Sequence, residues 1–385
     1  MTAHRLIKEG QTEIYVPTDN DSDIPLASAS VFYNPEMEMN RDINVAVTSV
    51  YVKRLMARKG FDKSQITYAD AFSASGIRGL RVSKEVGISA VLNDWKEEAV
   101  SLIQKNIEHN GLLGKTEATC MSADKLLRGR NFAIVDIDPF GTPSPFLDSA
   151  VSSASFFLGV TATDTAPLCG AHLKSGMRKY AAVPLNNEFH SEMGLRILIG
   201  SIARAASKFD KGIRPLFSHA TRHYVRVYAE VLNGAGQADK TLKDLGFIAW
   251  CPQCKNTETK NGLAVFMNED CSCGGIRKMS GPLWLGVFKD VDFCNEVIAE
   301  IESLPLNKKE AAVKLLTVCR DEADIPFFYD QHLLCEILKI SAPPMEPFLG
   351  SLRKAGYAAT RTHFSGTSFK TNASAEVCLE ILKEQ

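Results

Sequence analysis

The chain has 385 residues, of which 45% are hydrophobic and 23% are charged, a composition typical of globular proteins with two domains or one large extended domain. Its 44 basic and 45 acidic residues give a formal net charge of −1, which excludes a basic surface over the whole molecule and requires any nucleic-acid surface to be local. No run approaches the roughly 18 apolar residues of a membrane span, and the first ten residues lack a signal-peptide core. We therefore expect a cytoplasmic protein with no membrane contact and no evident obligate protein partner.

The first 60 residues predict a polar start followed by one helix. Residues 1–30 indicate irregular structure with a turn at 20–23. Asn40 is the expected N-cap of a helix to about Ala57, because apolar residues then recur on one face. Arg41 would lie in the first turn, where a cation is mildly unfavourable. This position suggests an anionic partner, although a solvated arginine is the commoner explanation.

A strand at 66–72 leads into a small-residue loop and then a helix, which is the usual nucleotide-binding arrangement. The loop has only Gly76 and Gly79, so the dinucleotide motif G-x-G-x-x-G is absent. A second strand at 89–94 ends in Asp94, at the spacing from the loop where a carboxylate binds a ribose diol. Asp94 is equally suited to cap the next helix. Both NAD and S-adenosylmethionine fit this pattern.

The third and fourth strands continue the alternation of strands and helices. A strand near 116–121 precedes Ser122, Ala123 and Asp124, where an acid or a backbone amide could meet an adenine edge. The fourth strand, 132–137, is a short apolar run that ends abruptly in Asp138. The strict alternation of strands and helices predicts a doubly wound α/β sheet, whose ligand lies at the carboxyl edge of the strands.

Asp138, Pro139 and Phe140 follow the fourth strand, with Gly141 after them. Asp138 and the Pro139 carbonyl are two hydrogen-bond acceptors that suit the N–H groups of a nucleobase exocyclic amine as charge develops on it. Phe140 offers a flat face for an extruded base, worth roughly 1–3 kcal/mol. For Asp-Pro alone, a loop cap is the commoner explanation.

A fifth strand at 156–164 and a closing pair at 215–220 and 223–231 follow. Two stretches near these strands, 165–187 and 194–229, contain many basic residues and only one acidic residue, Asp210. A solvated face is a common explanation for such runs, but the lack of acids favours a surface that contacts phosphates. The basic residues are Lys174, Arg178, Lys179, Arg196, Arg204, Lys208, Lys211, Arg214, Arg222 and Arg226.

Four of the ten cysteines are clustered in the pattern Cys251-x-x-Cys254 and Cys271-x-Cys273. Paired cysteines at this spacing indicate a zinc site, and four thiolates leave no open position, so the zinc would be structural. The second pair is more closely spaced than usual.

The region from 289 onward predicts helices followed by a hairpin. Two short helices at 328–338 and 344–354 precede strands at 357–364 and 368–371, an outline that resembles a winged helix. No acid occurs between 347 and 375, so this region could contact phosphates, although a small packing or dimerisation domain is the alternative. The candidate contacts are Arg353, Lys354, Arg361, His363 and Lys370, beside Tyr357, Phe364 and Phe369.

Seven segments together resemble the archaeal tRNA (guanine-26-N2)-dimethyltransferases. They are Phe-Tyr-Asn-Pro at 32–35, Asn-Arg-Asp at 40–42, Asp-Ala-Phe-Ser-Ala-Ser-Gly-Ile-Arg at 70–78, Asn-Asp at 93–94, Asp-Ile-Asp-Pro-Phe-Gly at 136–141, Ala-Thr-Asp-Thr-Ala-Pro-Leu-Cys-Gly at 162–170 and Ala-Thr-Arg-Thr-His-Phe-Ser at 359–365. The resemblance implies a class I, Rossmann-like methyltransferase sheet in residues 1–288, with a zinc-binding insertion at about 247–277. It also implies a C-terminal tRNA-binding domain in 289–385.

The resemblance further implies that S-adenosyl-L-methionine donates one or two methyl groups to N2 of guanine 26 in tRNA, by direct transfer to a flipped base. Arg41 and Arg78 would bind the methionine end of the cofactor, and Asp94 the ribose. Many relatives have Asp-Ala-Asn where this chain has Ser122, Ala123 and Asp124, so either Ser122 or Asp124 would contact the adenine. The catalytic residues carried over are Asp138, Pro139, Phe140 and Phe32.

Three alternatives remain. Another nucleobase amino-methyltransferase would use the same acceptors. A nicotinamide-dependent oxidoreductase shares the loop and Asp94, but does not explain the Asp-Pro-Phe-Gly segment. A non-catalytic zinc-containing RNA-binding protein would explain only the C-terminal half.

Overall fold

The computed structural model describes residues 4–18, 31–221 and 223–384. The strands are β1 His4–Glu9, β2 Thr12–Pro17, β3 Thr67–Asp70, β4 Ser89–Asp94, β5 Thr116–Cys120, β6 Phe132–Ile137, β7 Ala154–Ala162, β8 Lys211–Thr221, β9 Tyr224–Asn233, β10 Leu245–Trp250, β11 Thr257–Asn261, β12 Lys278–Trp284, β13 Tyr329–Asp330, β14 Ala359–Arg361 and β15 Ser368–Thr371. The helices are α1 Glu38–Lys59, α2 Ile77–Arg81, α3 Glu97–His109, α4 Ala123–Gly129, α5 Leu147–Ser153, α6 Thr165–Leu168, α7 Leu173–Tyr180, α8 His190–Ser207, α9 Ala235–Lys243, α10 Val291–Ser303, α11 Lys309–Asp321, α12 Gln331–Leu338, α13 Met345–Lys354 and α14 Ala375–Lys383. None of these helices has the length and apolarity needed to cross a bilayer.

A seven-stranded sheet forms the centre, in the order β5-β4-β3-β6-β7-β9-β8. The first five of these strands are parallel, and β9 runs antiparallel to both β7 and β8. The end of β8 and the start of β9 therefore lie at the same edge as the carboxyl ends of the parallel strands. The predicted α/β sheet and its closing pair of strands are confirmed, and the structure shows that this pair is antiparallel.

Two hydrophobic clusters cover the two faces of this sheet. Val135 and Ile137 of β6 belong to one cluster with α4, α5 and α8, whereas Ile134 belongs to the other with α1 and α3. Because both faces of β6 are buried, its sequence is a continuous apolar run rather than an alternating one.

The structure corrects two expectations for the N-terminal region. Residues 4–17 form the β1–β2 hairpin, which buries Ile14 and Val16, instead of being irregular; the turn expected at 20–23 lies outside the described residues. Asn40 is not an N-cap, because α1 already begins at Glu38. The cap in this region is Asn34, whose side-chain oxygen accepts a hydrogen bond from the Glu36 N–H at 2.9 Å and starts a short 3-10 turn.

The C-terminal region has the predicted order of two helices and a hairpin, α12, α13 and β14–β15, and it ends in an additional helix, α14. These elements share a third hydrophobic cluster that includes Phe348, Leu352 and Phe369. Helices α10 and α11 instead pack with α1 in the second cluster of the central sheet. The domain boundary at 289 stays a prediction, and this packing favours a later one, after α11.

Candidate active site at the carboxyl edge of the sheet

The loop after β3 is held tightly against the sheet. Ser73 N–H donates to the Asn93 carbonyl at 2.8 Å, and Gly76 N–H donates to the Ser73 carbonyl at 2.7 Å. Gly76 has φ of +83°, and a Cβ there would lie 3.2–3.3 Å from the side chains of Leu80, Leu92 and Ile103. The positive φ favours glycine here and the space for a Cβ is tight, and the backbone hydrogen bonds fix the loop at the ligand edge.

Asp138, the first residue after β6, lies next to Arg78 of α2. Arg78 Nη2 donates to Asp138 Oδ2, and also to Asn40 Oδ1 at 2.8 Å. Two further donors of this group, Arg78 Nη1 and Asn40 Nδ2, are buried and have no hydrogen-bond partner among the described residues. Since buried donors are normally satisfied, this pair suits an anionic ligand group. The donor set fits the carboxylate of the methionine end of S-adenosyl-L-methionine.

A fully buried charge layer supports this site from below. Arg226 of β9 donates to Asp136 Oδ1 at 3.0 Å, to Thr161 Oγ1 at 2.8 Å and to Asn44 Oδ1 at 2.9 Å. Although burial raises the pKa of Asp136, Arg226 and Arg78 hold it below its usual value. Arg78 Nε lies 4.0 Å from Asp136 Oδ1, so this layer contacts the arginine that binds Asp138.

Asp70, at the end of β3, is the other carboxylate of this layer. Its Oδ2 accepts the Gly79 N–H of α2 at 3.1 Å, and its Oδ1 is buried with no partner among the described residues. Burial, together with the neighbouring Asp136 carboxylate, raises the pKa of Asp70 to about 7. At neutral pH this carboxyl group is therefore partly protonated.

The rings of Phe32 and Phe140, which the resemblance implied to flank the base, contact each other edge to face, and their role stays a prediction. Their ring centroids are 5.5 Å apart at an interplanar angle of 82°, and Phe140 is 73% exposed. A purine stacked between two rings needs them roughly parallel and about 7 Å apart. One ring must therefore rotate before a base can enter, and the exposed Phe140 has the freedom to do so.

The loop that carries Phe140 is fixed at its far end. Gly141 N–H donates to Thr163 Oγ1 at 2.9 Å, and Thr163 N–H donates to the Gly141 carbonyl at 3.0 Å. This pair of bonds ties the Asp-Pro-Phe-Gly segment to the end of β7. The motion available to Phe140 is therefore a side-chain rotation on an anchored backbone.

Asp94 lies at the end of β4 and does not cap α3, whose N-cap is Lys96. Its two oxygens accept hydrogen bonds from the Ala74 and Lys96 N–H groups, each at 3.0 Å. A carboxylate accepts about four hydrogen bonds, so capacity for two hydroxyl groups remains. The ribose role of Asp94 stays a prediction.

Ser122, Ala123 and Asp124 lie at the start of α4. The Ser122 hydroxyl caps the helix by accepting the Lys125 N–H at 3.3 Å, and Ala123 is buried. Asp124 Oδ1 accepts the Ser149 hydroxyl at 2.5 Å. Both polar side chains already have protein partners, and the adenine contact at this position stays a prediction.

Arg41 lies beside Asn40 in α1 and forms an ion pair with Glu9 of the same chain. Its Nε and Nη2 donate to the two carboxylate oxygens of Glu9, at 2.8 and 2.6 Å. Although burial raises the pKa of Glu9, Arg41 and a hydrogen bond from Tyr33 hold it below its usual value. The N-terminal hairpin thus supplies the anionic partner that Arg41 suggested, while its contact with the cofactor stays a prediction.

The four clustered cysteines meet at one point beside the sheet β11-β10-β12. Their sulfur atoms all lie within 4.8 Å of one another, with Cys251 and Cys273 at 3.6 Å and Cys254 and Cys271 at 3.5 Å. Zn–S bonds of about 2.3 Å put tetrahedral sulfurs about 3.8 Å apart. A Cβ at Gly275 would lie 3.0 Å from the Cys251 sulfur, so this glycine leaves space for the cluster. The residues fit a structural zinc ion, including the closely spaced second pair.

The predicted basic surface is wrong for half of its described cations, because these side chains are partly or fully buried and are bound within the protein. Arg196 is buried against Glu192, and Arg226 against Asp136. Arg204 donates to the Tyr180 carbonyl, and Lys211 to the carbonyls of residues 151, 152 and 154. In the C-terminal region, His363 and Lys370 have buried side chains. Seven of the predicted phosphate contacts are exposed, and Arg222 lies outside the described residues; the exposed ones are Lys174, Arg178, Lys208, Arg214, Arg353, Lys354 and Arg361.

Comparison with known proteins agrees with this geometry. Residues 10–383 match the family model of N2,N2-dimethylguanosine tRNA methyltransferase. A tRNA (guanine(26)-N(2))-dimethyltransferase from Methanosarcina mazei is 58% identical over 371 residues, 96% of each chain, and one from Methanospirillum hungatei is 43% identical over the same shares. The solved complex of Trm1 from Pyrococcus horikoshii with S-adenosyl-L-methionine is 37% identical, with a TM-score of 0.86 and coverage of 98% of this chain and 99% of that one. The chain belongs to the N2,N2-dimethylguanosine tRNA methyltransferase family.

Proposed function

We propose that this protein methylates the exocyclic N2 amine of guanine 26 in tRNA, once or twice, with S-adenosyl-L-methionine as methyl donor. Family membership supports this activity over the nicotinamide-dependent and non-catalytic alternatives. One observation from the structure carries it: an acceptor carboxylate, Asp138, lies beside unpartnered buried donors on Arg78 and Asn40. A methyl acceptor and the charged end of a methyl donor can therefore bind side by side.

The chain's own groups act mainly by accepting hydrogen bonds and by orienting the base. S-adenosyl-L-methionine supplies an electrophilic methyl group on a sulfonium. We propose that Asp138 and the Pro139 carbonyl accept the two N2 hydrogens, which keeps the amine lone pair directed at the methyl group. Asp138 then accepts the proton that N2 loses as the new C–N bond forms and the methyl C–S bond breaks, with the thioether S-adenosyl-L-homocysteine as the leaving group.

Phe32 and Phe140 are proposed to hold the flipped guanine between their rings after Phe140 rotates. Stacking of this kind contributes roughly 1–3 kcal/mol per base. No cysteine occurs between residues 132 and 142, so a thiolate attack of the kind used at ring carbons has no nucleophile on this loop. Direct transfer without a covalent enzyme intermediate is therefore the simplest mechanism.

The proposed contacts with tRNA beyond the guanine lie next to this loop. Helix α7 presents Lys174 and Arg178 to solvent, and it is joined to the loop by a hydrogen bond from the Thr142 hydroxyl to the Tyr180 hydroxyl at 2.9 Å. These cations are available to phosphates. The predicted cytoplasmic location stays a prediction.

The test is nucleoside mass spectrometry of a tRNA transcript incubated with the protein and S-adenosyl-L-methionine. We expect N2-methylguanosine and N2,N2-dimethylguanosine at position 26. The matched control is the same transcript with inosine at 26, which lacks only the exocyclic amine and should remain unmodified. Absence of both products, or methylation of the inosine transcript, would contradict the proposal.

A further inference from the structure

His363 lies in the Ala-Thr-Arg-Thr-His-Phe-Ser segment at 359–365, for which the proposed function gives no role. Its side chain is only 1% exposed, so it cannot contact a phosphate in this arrangement. The Nδ1 atom is 2.8 Å from Glu322 Oε2, and the Nε2 atom accepts the backbone N–H of Ala220 at 3.2 Å. Because Nε2 accepts, Nδ1 carries the ring hydrogen and donates it to Glu322.

Glu322 and its neighbours form a buried charge cluster between the C-terminal region and the central sheet. Lys370 Nζ lies 2.7 Å from Glu322 Oε1 and 3.1 Å from Glu192 Oε1. Glu192 of α8 also accepts from Arg196 Nε at 2.8 Å and from the Phe327 N–H at 2.9 Å. The contact with Glu322 fixes the Nδ1 side of the His363 ring. The direction of the Nε2 atom is therefore determined by the C-terminal region.

Ala220 is at the end of β8, at the carboxyl edge of the sheet where the active site lies. It pairs with Val225 of β9, and the next pair in register is His219 with Arg226. Arg226 is the residue that binds Asp136 and Asn44 beneath Arg78 and Asp138. A shift of this end of the hairpin would therefore move the guanidinium group that binds Asp136, whose Oδ1 lies 4.0 Å from Nε of Arg78, the partner of Asp138.

We propose that His363 is a positioning residue for methyl transfer: its Nε2 holds the β8–β9 hairpin end so that Arg226 keeps the Asp138 site in its reactive geometry. The C-terminal region would then contribute to the chemical step and not to tRNA binding alone. This inference rests on the proposed methyl transfer. Misplacement of a reacting group by about 1 Å can lower a rate by about 100-fold.

Two variants separate the two hydrogen bonds of the ring. In His363→Asn, the amide N–H₂ lies near the former Nδ1 and can still donate to Glu322, but no acceptor reaches Ala220. In His363→Gln, the longer side chain puts an amide oxygen near the former Nε2, where it can accept the Ala220 N–H. The two variants therefore carry the same amide group. They differ in whether the hydrogen bond to Glu322 or the one to Ala220 is kept.

The experiment measures kcat, KM for tRNA, the Kd of S-adenosyl-L-methionine, the melting temperature and hydrogen exchange of the peptide that contains Ala220. We expect His363→Asn to lower kcat about 10-fold to 100-fold, with KM, Kd and melting temperature close to wild type and faster exchange at Ala220. We expect His363→Gln to restore kcat to within about threefold of wild type, and to restore slow exchange.

Two outcomes would overturn the inference. One is a wild-type kcat in His363→Asn despite faster exchange at Ala220. The other is an equal loss of kcat in both variants that follows a lower melting temperature, which would indicate a purely structural role. Failure of the wild-type protein to methylate tRNA would instead refute the proposed function, and the exchange measurement does not depend on that activity.

Discussion

Replacement of Asp138 by asparagine tests the proposed catalytic role with the smallest change in shape. Asp138 Oδ2 is bound by Arg78, and Oδ1 has no donor among the described residues, so Oδ1 is the oxygen available to the guanine amine. Asparagine offers only one acceptor oxygen. If that oxygen accepts from Arg78, an N–H₂ group faces the amine and repels its hydrogens.

The expected loss follows from this geometry. A positioned general base contributes typically 10²–10⁴-fold, which equals about 2.7–5.5 kcal/mol in activation free energy. We expect Asp138→Asn to lower kcat by that factor. The Kd of S-adenosyl-L-methionine should stay within about threefold of wild type, because the amide oxygen still binds Arg78. Asp138→Ala would lower kcat as well, but it also removes the partner of Arg78 and is harder to interpret.

The assay is single-turnover transfer of a radiolabelled methyl group to tRNA, with cofactor binding measured by calorimetry. The matched control is Asp148→Asn, which removes one charge from an exposed pair with Lys208 and should leave the rate unchanged. A turnover of Asp138→Asn within tenfold of wild type would refute the assignment of Asp138 as acceptor.

Three further predictions concern the zinc site and the buried charges. Alanine at both Cys251 and Cys254 should remove bound zinc and lower the melting temperature, and an unchanged metal content would contradict the zinc site. Arg226→Met should cost about 3–5 kcal/mol in urea unfolding, because it leaves Asp136 buried without its main cation; addition of Asp136→Asn should recover part of this loss, and strictly additive losses would argue against the pair. Because burial raises the pKa of Asp70 to about 7, its proton is retained in the folded protein at pH values where the unfolded chain has lost it, so stability falls between roughly pH 4 and 7. Asp70→Asn should therefore be more stable relative to wild type at pH 8 than at pH 5 in unfolding measurements, and an equal difference at both pH values would contradict this origin.

The sequence was sufficient for features that depend on local order. The alternation of apolar runs with helical segments predicted the five parallel strands and the closing pair, because strand and helix periodicities are properties of short windows. The abrupt end of β6 predicted that Asp138 lies at the ligand edge of the sheet, since strand ends lie at that edge of a doubly wound sheet. The cysteine spacing predicted the cluster of Cys251, Cys254, Cys271 and Cys273 for the same local reason.

Tertiary structure alone decided which charges are exposed and which are buried. Arg226, His363 and Lys370 all lie in stretches with few acids, so the sequence indicated surface cations. Their partners are distant in the chain: Arg226 pairs with Asp136, 90 residues away, and His363 with Glu322, 41 residues away. A charge run carries no information about which carboxylate the fold will bring beside it, because that depends on strand order and on domain packing. The same packing places Arg78 and Asn40 beside Asp138, and it thereby turns three separate segments into one site.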